Sequence, residues 1–400
     1  MSWPKVKLGE VCHFVRGPFG GALKKDCFIE DGYAVYEQQH AIYNQFEDIR
    51  YFIDEDKFNE LKRFKLNAGD LIMSCSGTMG KIAIVPENIK VGVINQALLK
   101  LTPSDKVDIK FLKYWLESES FQFVLNGNTH GAAIKNVASV SVLKEIEIPL
   151  PPLEEQKRIA AILDKADSVR RKRQQAIDLA DDFLRSVFLD MFGDPQTKGW
   201  EITTVEKVAE RTKGSMRTGP FGSQLLHSEF VEKGIAVLGI DNAVENKFKW
   251  GKQRFITEEK YQQLKRYTVK PDDVIITIMG TCGRCAVVPE DIPTSINTKH
   301  ICCITLDKDK CLPSFLHSYF LYHPVCQKYL ATNTKGAIMA GLNMGIVKGI
   351  PVPLVPLSLQ VKYDSIVRRL NELTEGSSEH KENGNSLFNS LSQKAFAGKL

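Results

Sequence analysis

The stretch that begins Pro151-Pro152-Leu153-Glu154-Glu155-Gln156 continues without glycine or proline until Gly193-Asp194-Pro195. A proline suits the first helical turn, where its missing N–H would have no partner, and early glutamates favour the positive end of the helix dipole. Gly193 suits the end of a helix, and Pro195 prevents its continuation. The stretch therefore predicts one long helix near the middle of the chain.

Apolar side chains recur through this predicted helix in two rows of heptad spacing. The first row is Ile159, Ala166, Ala180 and Val187, interrupted by Arg173, and the second row is Ile162, Val169, Ala176 and Phe183. Such rows form a narrow seam that must pack against other helices. With a rise of about 1.5 Å per residue, the helix would span roughly 60 Å and would separate two globular bodies.

The chain also repeats itself, with an offset close to 200 residues. Gly17-Pro18-Phe19-Gly20 returns as Gly219-Pro220-Phe221-Gly222, Gly69-Asp70-Leu71-Ile72 as Asp272-Asp273-Val274-Ile275, Gly77-Thr78-Met79-Gly80-Lys81 as Gly280-Thr281-Cys282-Gly283-Arg284, Pro86-Glu87-Asn88-Ile89 as Pro289-Glu290-Asp291-Ile292, and Ile148-Pro149-Leu150-Pro151 as Ile350-Pro351-Val352-Pro353. A constant offset over so many matches predicts a tandem duplication of one domain followed by a helix.

Each copy combines short apolar runs with segments of helical spacing. In the first copy, Asp70 to Met73, Lys81 to Val85 and Ala97 to Leu101 predict strands, Asp56 to Leu66 and Ile109 to Leu125 predict helices, and residues 126–136 predict a loop. Glycine, proline or asparagine bounds the predicted strands, as is usual for short strands. The domain is therefore predicted to be α+β, with functional residues on its loops.

The second helical segment differs from the first. Apolar residues at helical spacing occur at Val361, Ile366, Leu370 and Leu373, and again at Leu387, Phe388, Leu391 and Ala395. Between them lie Glu375-Gly376-Ser377-Ser378 and Asn383-Gly384-Asn385. These polar, glycine-containing tracts predict two shorter helices joined by a break.

Composition excludes several classes of protein. The net charge of +5 over 400 residues is too small for a polybasic protein, so any nucleic-acid surface must arise from local clustering. The start Met1-Ser2-Trp3-Pro4-Lys5 lacks the apolar region of a signal peptide, and no run of about 18 apolar residues predicts a membrane span. Nine irregularly spaced cysteines fit a reducing compartment. We therefore expect a cytoplasmic protein without a membrane segment.

No motif in the sequence predicts catalysis or a metal site. The segment from Gly77 to Lys81 has the wrong spacing for a phosphate-binding loop and lacks the hydroxyl residue after the lysine. Cys282 and Cys285 have the spacing of zinc ligands, but the other copy has Met79 and Ile82 at these positions. We therefore expect a chain without catalytic residues or a metal ion.

Two basic features leave alternatives open. The segment from Gly77 to Lys81, like its repeat, is either a plain turn between strands or a turn that presents N–H groups and a cation to a DNA phosphate. The run Arg170-Arg171-Lys172-Arg173 is either a solvated helix face or a contact for nucleic acid or an acidic partner. Arg173 occupies a seam position, which favours a specific partner because a charge there needs a counter-charge or water.

The stretch from Ile148 to Gln156 leads from the first predicted domain into the long helix, and Leu189-Asp190-Met191-Phe192-Gly193-Asp194-Pro195 ends that helix. Together with the terminal pattern from Leu387 to Leu391 and Ala395 to Leu400, these stretches resemble the specificity subunit of Type I restriction-modification systems. The resemblance covers the whole chain, and the globular halves contribute least to it. It implies target-recognition domains at 1–150 and 196–352, a central spacer helix at 151–195, and distal helices at 353–400, interrupted near 375–385. The helices would pack as an antiparallel coiled coil.

The resemblance also implies a function. The chain would be a noncatalytic subunit that recognises a bipartite double-stranded DNA site, one half with each domain, and that docks two DNA methyltransferase subunits and motor-endonuclease subunits. No cofactor is expected in this chain, because S-adenosylmethionine, ATP and Mg would be bound by the partner subunits. Loop side chains would read the bases, with arginine on guanine and asparagine or glutamine on adenine as the usual pairings.

The candidate residues follow from equivalent loops and from the seam. The candidates for DNA binding are Thr78, Lys81, Asn95, Gln96, Lys135, Asn136, Arg217, Thr281, Arg284, Asn297, Lys299 and Lys335. The candidates for helix packing or partner contact are Ile159, Ile162, Ala166, Val169, Arg173, Ala176, Ala180, Phe183, Val187, Val361, Leu370, Leu387 and Leu391. Two other functions stay open: a two-domain protein-interaction scaffold, and a standalone DNA-binding protein without restriction-modification partners.

Overall fold

The chain forms two compact units. The computed structural model describes residues 3–19, 21–127, 139–334 and 341–400, except for the side chains of 126–127, 334 and 375–386. The first unit comprises Met1–Gln174 with Ser378–Leu400, and the second comprises Gln175–Ser377. The boundary between the units therefore falls inside both long helical segments of the chain.

The first unit contains nine strands and the first six helices among its described residues. Its strands are β1 (Lys5–Lys7), β2 (Cys12–Arg16), β3 (Tyr33–Tyr36), β4 (Phe52–Ile53), β5 (Leu71–Ser74), β6 (Ile82–Ile84), β7 (Gly92–Ile94), β8 (Leu98–Pro103) and β9 (Glu147–Pro149). Its helices are α1 (Leu8–Val11), α2 (Gln38–Tyr43), α3 (Glu55–Glu60), α4 (Ile109–Glu117), α5 (Glu119–Gly127) and α6 (Val140–Glu145), and they are followed by the long α7 (Leu153–Phe192).

The second unit repeats this series of elements. Its strands are β10 (Ile202–Thr204), β11 (Met216–Thr218), β12 (Ile235–Leu238), β13 (Phe255–Ile256), β14 (Val274–Thr277), β15 (Cys285–Val287), β16 (Ser295–Asn297), β17 (Ile301–Ile304) and β18 (Pro351–Pro353). Its helices are α8 (Val205–Val208), α9 (Glu258–Leu264), α10 (Pro313–Tyr322), α11 (Pro324–Thr334) and α12 (Met344–Lys348), and the long α13 (Leu357–Phe396) follows.

The sheets of the two units have matching topology. The four-stranded sheets are β2-β8-β5-β6 and β11-β17-β14-β15, the three-stranded sheets are β4-β3-β7 and β13-β12-β16, and the two-stranded sheets are β1-β9 and β10-β18. The pairs β3–β7 and β12–β16 are parallel, and the other strand pairs are antiparallel. The identical orders confirm the predicted duplication of an α+β domain.

The sequence of strand β5 is apolar from Leu71 to Met73 and does not alternate between apolar and polar residues there. Leu71 and Met73 point into the cluster that contains Phe111 of α4, whereas Ile72 points into the cluster that contains Tyr36 of β3. Because both faces of the strand are covered, neither face needs polar side chains. In the second unit, Val274–Thr277 is buried in the same way.

The predicted helix from Ile109 to Leu125 is two helices in the structure. Ser118 separates α4 from α5, with an extended backbone at ψ 150°. Its hydroxyl donates a hydrogen bond to the carbonyl of Trp115 at 2.6 Å. A serine that bonds to the nearby backbone competes with helical hydrogen bonding, and this local effect is not visible in the apolar spacing.

A buried glutamine fixes the start of each long helix. Gln156 donates hydrogen bonds from Nε2 to the carbonyls of Lys106 (3.1 Å) and Pro151 (2.8 Å), and its Oε1 accepts from the N–H of Asp108 at 2.8 Å. In the second unit, Gln360 makes the equivalent three bonds to Lys310, Val355 and Leu312, at 2.8–2.9 Å. The glutamine thus ties each helix to the domain that precedes it.

The long helices run antiparallel in both units. In the first unit, Arg158 donates to the carbonyl of Leu400 at 3.2 Å, and the guanidinium of Arg170 lies 5.1 Å from the ring centre of Phe388. In the second unit, Phe188 lies 5.4 Å from Tyr363 between ring centres. Residue numbers rise along α7 as they fall along α13, in agreement with the predicted antiparallel packing.

The predicted break near 375–385 is wrong, because α13 continues from Leu357 to Phe396. Gly376 and Gly384 keep their backbone N–H groups, and a glycine inside a helix costs only about 1 kcal/mol relative to alanine. No proline occurs between these two glycines. The polar, glycine-containing tracts therefore lower the helix propensity without ending the helix.

The heptad seam was predicted only in part. Ile159 is buried, and Ala166, Val187 and Leu391 pack against buried clusters. Ile162, Arg173, Ala180 and Leu370 are half-buried. The exposed members of the set are Val169, Ala176, Phe183, Val361 and Leu387, and their contact with a partner helix stays a prediction. A strict heptad row drifts by about 20° per repeat around a straight α-helix, so one row cannot stay on the buried side.

The buried side of α7 follows a different set of positions. Gln156, Ile159, Leu163 and Asp167 are buried in its first half, and Leu184, Phe188 and Phe192 are buried in its second half. Over the described part of the chain, no helix combines the length and apolar character needed to cross a membrane.

Candidate nucleic-acid interface

In the first unit, the loops that follow β2, β3, β5 and β7 meet at one edge. The N–H of Gly17 donates to the carbonyl of Leu98 at 2.9 Å, and the N–H of Asn95 donates to the carbonyl of Tyr36 at 2.9 Å. The N–H of Cys75 donates to the carbonyl of Ala97 at 2.8 Å. The adjacent parallel strands β3 and β7 necessarily end at the same edge, and these hydrogen bonds join the ends of β2 and β5 to them.

The same edge forms in the second unit. The N–H of Gly219 donates to the carbonyl of Thr298 at 3.3 Å, and the N–H of Thr298 donates to the carbonyl of Leu238 at 2.9 Å. The N–H of Ile278 donates to the carbonyl of His300 at 2.9 Å. We name these edges the loop clusters: residues 17–19, 37–38, 75–81 and 95–97 in the first unit, and 219–222, 239–241, 278–284 and 297–300 in the second.

The repeated Gly-Pro-Phe segment is explained by close packing within each loop cluster. A Cβ atom on Gly17 would lie 1.8 Å from the carbonyl oxygen of Asn95, and one on Gly219 would lie 2.0 Å from that of Asn297. Both distances are far inside van der Waals contact, so only glycine fits. Phe19, two residues later, is 90% exposed, and Phe221 is 50% exposed.

The turns from Gly77 to Lys81 and from Gly280 to Arg284 are built by one hydroxyl residue each. Ser74 donates from its hydroxyl to the carbonyl of Thr78 at 2.6 Å and accepts from the N–H of Lys81 at 3.0 Å. Thr277 bonds equivalently to Thr281 and Arg284.

Glycines at φ +64° to +85° close these two turns. The candidates Thr78, Lys81, Thr281 and Arg284 are all exposed on them. Each segment is therefore a turn between strands, and it also carries an exposed cation.

The prediction that Arg217 binds DNA is wrong. Its side chain is only 7% exposed and forms an ion pair with Asp273 inside the second unit. Its Nε donates to the carbonyl of Thr268 at 2.8 Å, and its Nη1 donates to the hydroxyl of Thr305 at 3.0 Å. Arg217 lies in β11 on the covered face, so its cation neutralises a buried carboxylate.

Asn297 is also placed wrongly as a direct DNA contact, because its side chain is fully buried. Its amide donates to the carbonyl of Ile301 at 3.0 Å and so closes the loop between β16 and β17. In the first unit, Asn95 occupies the position of Thr298 in the strand register. It is half-buried, and its Oδ1 accepts from the N–H of Ala97 at 3.0 Å. Both residues shape the loop that carries their exposed neighbours.

The other candidates lie on the surface or outside the described residues. Gln96 is exposed in the first loop cluster, and Lys299 is half-buried in the second. Lys135, Asn136 and Lys335 lie outside the residues that the structure describes. The described candidates that remain accessible therefore fall in the two loop clusters.

Sequence reasoning missed a groove beside the second loop cluster. Its volume is about 360 Å³, and it is lined by charged and polar residues that include His227, Asp241, Arg254, Lys299 and His300. Burial lowers the pKa of His300, and the neighbouring cations Lys299 and Arg254 lower it further. The repeat gave no signal for this groove, since Tyr51 and Gln39 of the first copy align with Arg254 and Asp241.

The described residues contain no group of three or more His, Cys, Asp or Glu side chains that could hold a metal ion. Cys285, Cys302 and Cys303 are buried, and Cys282 is half-buried. Burial raises the pKa of the Cys302 thiol to about 12. Protonated thiols inside a packed core are poor metal ligands and weak nucleophiles.

Comparisons with known proteins agree with this architecture. A family model described as "Type I restriction modification DNA specificity domain" matches residues 2–179 and 199–383, once in each half of the chain. The Type I restriction enzyme EcoBI specificity subunit of Escherichia coli is 27% identical over 77% of this chain and 69% of its own length. The MjaVIII specificity subunit of Methanocaldococcus jannaschii is 23% identical over 95% of this chain and 89% of its own length.

A solved structure shares the fold. The S subunit of a Type I restriction-modification system from M. genitalium superposes with a TM-score of 0.60 at 18% sequence identity, covering 99% of this chain and 96% of that one. At this identity the likeness concerns the fold alone.

Proposed function

Because the chain belongs to the family of Type I restriction-modification DNA specificity proteins, we propose that it reads a bipartite double-stranded DNA site without catalysing any reaction itself. Each unit reads one half of the site with its loop cluster. The observation that carries this proposal is the duplication of the loop cluster, with a closely packed glycine and a hydroxyl-built turn in each copy.

The exposed cations of the turns suit phosphate contacts. Lys81 and Arg284 occupy equivalent positions at the ends of rigid turns. Contacts to phosphate fix the position of a protein on the duplex but carry no direct sequence information. Sequence would instead be read by side chains that differ between the units, such as Gln96 in the first and Lys299, at the equivalent position, in the second.

The helix α7 is proposed to set the distance between the half-sites. It is continuous for 40 residues and passes from the first unit to the second. A preformed helix holds two reading surfaces in register without an entropy cost at binding.

The exposed apolar positions on the long helices are proposed to receive the modification subunits. In the first unit, Val169 is 43% and Leu387 is 58% exposed. In the second unit, Leu179, Phe183 and Leu373 are at least half exposed. Apolar side chains at heptad spacing on a helix fit the apolar face of another helix.

The chemistry would belong to the partner subunits. Two methyltransferase subunits would bind S-adenosylmethionine, and motor-endonuclease subunits would bind ATP and Mg. This division is consistent with the chain's membership of a specificity family, and it leaves this chain the task of recognition.

A footprint on DNA tests the proposal. The chain, assembled with its modification subunits, should protect two separate half-sites on the DNA. A plot of the logarithm of its affinity for DNA against the logarithm of the salt concentration should have a steep negative slope. Lys81→Gln and Arg284→Gln should each reduce the salt slope by about one, whereas Lys62→Gln, exposed outside the loop clusters, should not. A two-domain scaffold would show no sequence-dependent protection, and that result would overturn the proposal.

A further inference from the structure

The groove of the second unit is built around an ion pair. Arg254 donates from Nη2 to Oδ1 of Asp241 at 2.8 Å, and the N–H of Lys252 donates to Oδ2 of the same carboxylate at 2.7 Å. A Cβ atom on Gly239 would lie 2.7 Å from Nη1 of Arg254, and one on Gly251 would lie 2.1 Å from Oδ2 of Asp241. The backbone on both sides is therefore shaped to admit this pair.

The pair leaves part of the hydrogen-bonding capacity of Arg254, a residue of the groove lining, unused. Arginine has five N–H donors in a planar fork, and Asp241 occupies one nitrogen of Arg254. Among the described residues, Nε and Nη1 of Arg254 have no hydrogen-bond partner, and the hydroxyl of Thr298 in the groove lining has none either. The side chain of Arg254 is one quarter exposed, so a ligand in the groove can reach it.

The charges of the groove select the kind of ligand. The carboxylate of Asp241 neutralises Arg254 and would repel a phosphate placed beside it. A neutral base edge carries no such penalty, and guanine offers two acceptors, O6 and N7, that match an arginine fork. Lys81 and Arg284, on exposed turns, carry no ion pair within the described residues, as expected for phosphate contacts.

The equivalent position in the first unit is arranged differently. Tyr51 stands at the position of Arg254, and Gln39 stands at the position of Asp241. The side chain of Tyr51 stacks on Phe28, with 4.4 Å between the ring centres. The first unit therefore has neither the arginine nor the acid at these positions, so the two units would read different bases.

We propose that Arg254 is a specificity-determining residue that recognises a guanine in the half-site of the second unit. Asp241 is a positioning residue that orients its guanidinium. This inference rests on the proposed function, because it assumes that the second loop cluster faces DNA.

The test compares recognition sites between variants of the complete complex. The chain is assembled with its modification subunits, and the methylated positions are mapped on a library of randomised duplexes. The wild type should require a guanine at one position of the second half-site. Arg254→Gln should lower the preference for that guanine by roughly tenfold or more, and it should leave the first half-site and the spacing unchanged.

Two further variants separate base reading from charge and from folding. Arg254→Lys keeps the charge but not the planar fork, so it should also lose the preference. Arg211→Gln, at an exposed arginine away from the groove lining, should keep the wild-type site. Asp241→Asn should also weaken the preference for guanine, but by less than Arg254→Gln does.

Two outcomes overturn the inference while leaving the proposed function intact. One is an unchanged site with Arg254→Gln, and the other is an equal loss of affinity for all sequences, which would indicate a phosphate contact. If the wild-type complex modifies no bipartite site, the proposed function itself fails.

Discussion

The two units hold the same buried carboxylate with different cations. In the first unit, Asp70 accepts hydrogen bonds from Thr102 and from the N–H of Asn67, and Lys100 lies 3.9 Å away. In the second unit, Asp273 accepts from Thr305 and from the N–H of Lys270. Its cation is Arg217.

The cations come from opposite strands of one strand pair. In the first unit, β2 contributes Val15 and β8 contributes Lys100 across from it. In the second unit, β11 contributes Arg217 and β17 contributes Cys303 across from it. Lys100 donates to the carbonyl of Lys65 at 2.6 Å, and Arg217 donates to the equivalent carbonyl of Thr268 at 2.8 Å.

The duplication has thus kept an interaction rather than a residue. A buried carboxylate needs a cation, and either neighbouring strand can supply it. Alignment of the two copies pairs Arg217 with Val15, so the first copy has no matching cation at the position of this predicted DNA contact. Its role is instead structural and common to both units.

Removal of Arg217 should have the largest effect. Arg217→Met would leave Asp273 buried without its cation, which typically destabilises a protein by about 3–5 kcal/mol. Lys100→Met should cost less, about 1–3 kcal/mol, because its contact with Asp70 is longer. Urea unfolding of the two variants measures the difference, with Arg211→Gln as an exposed control. Equal losses would contradict the account.

Exchange of the cation between strands should restore stability. Arg217→Val with Cys303→Lys rebuilds the arrangement of the first unit inside the second. The double variant should be more stable than the sum of the single effects predicts, with a coupling of about 1–3 kcal/mol. A complete double-mutant cycle by urea unfolding gives this coupling. Additive effects would mean that the two strands cannot substitute for each other.

Substitution of the glutamine at the start of either long helix should destabilise the protein by the same amount, whereas substitution of Lys100 and of Arg217 should not. Gln156→Ala and Gln360→Ala each leave one backbone N–H and two carbonyls without their partner. Each should cost about 1–3 kcal/mol, and the two losses should match closely. Hydrogen exchange at Asp108 and Leu312 would report the local opening. A loss confined to one unit would show that only that helix depends on the glutamine.

Acid should weaken the second unit through His317 by a smaller amount. Burial is the main cause that lowers the pKa of His317, and its Nε2 lies 2.9 Å from the carbonyl of Asn246. A histidine with a lowered folded-state pKa stabilises the fold above its unfolded pKa of about 6.5, and this contribution is lost as pH falls below that value.

Unfolding in urea at pH 7 and at pH 5.5 tests this effect. The loss of stability between the two conditions should be smaller in His317→Gln than in the wild type. An identical loss in both proteins would assign the acid sensitivity to other groups.

The parts of the fold that could be predicted depend on local chemistry. The bounds of α7 follow from Pro152 and Gly193, and the turn at Gly17 follows from its repetition at Gly219. Arg217 and Asp273 lie 56 residues apart in sequence, and no local pattern shows that an arginine of a short strand points inward. The buried side of α7 could not be predicted for a related reason, since burial depends on which side of the helix the domains pack against.

The candidate site was predictable at the level of loops but not of side chains. The repeated glycine-containing turns indicated that Lys81 and Arg284 lie on the surface, where the structure places them. Arg254 was missed because its importance comes from Asp241, Gly239 and Gly251, which meet it only after the strands have paired. Residues that act through such tertiary contacts carry no signature in one sequence.

We have proposed that α7 separates two independent reading units. The most direct measurement lengthens both long helices by four residues, about one turn, between residues 174 and 175 and between residues 377 and 378, where the units divide. Insertion in both helices keeps the antiparallel pairs of each unit in register. The recognition site is then mapped with the modification subunits present.

We expect a longer spacer with both half-site sequences unchanged. Altered half-site bases, or a spacer of the original length, would contradict this proposal.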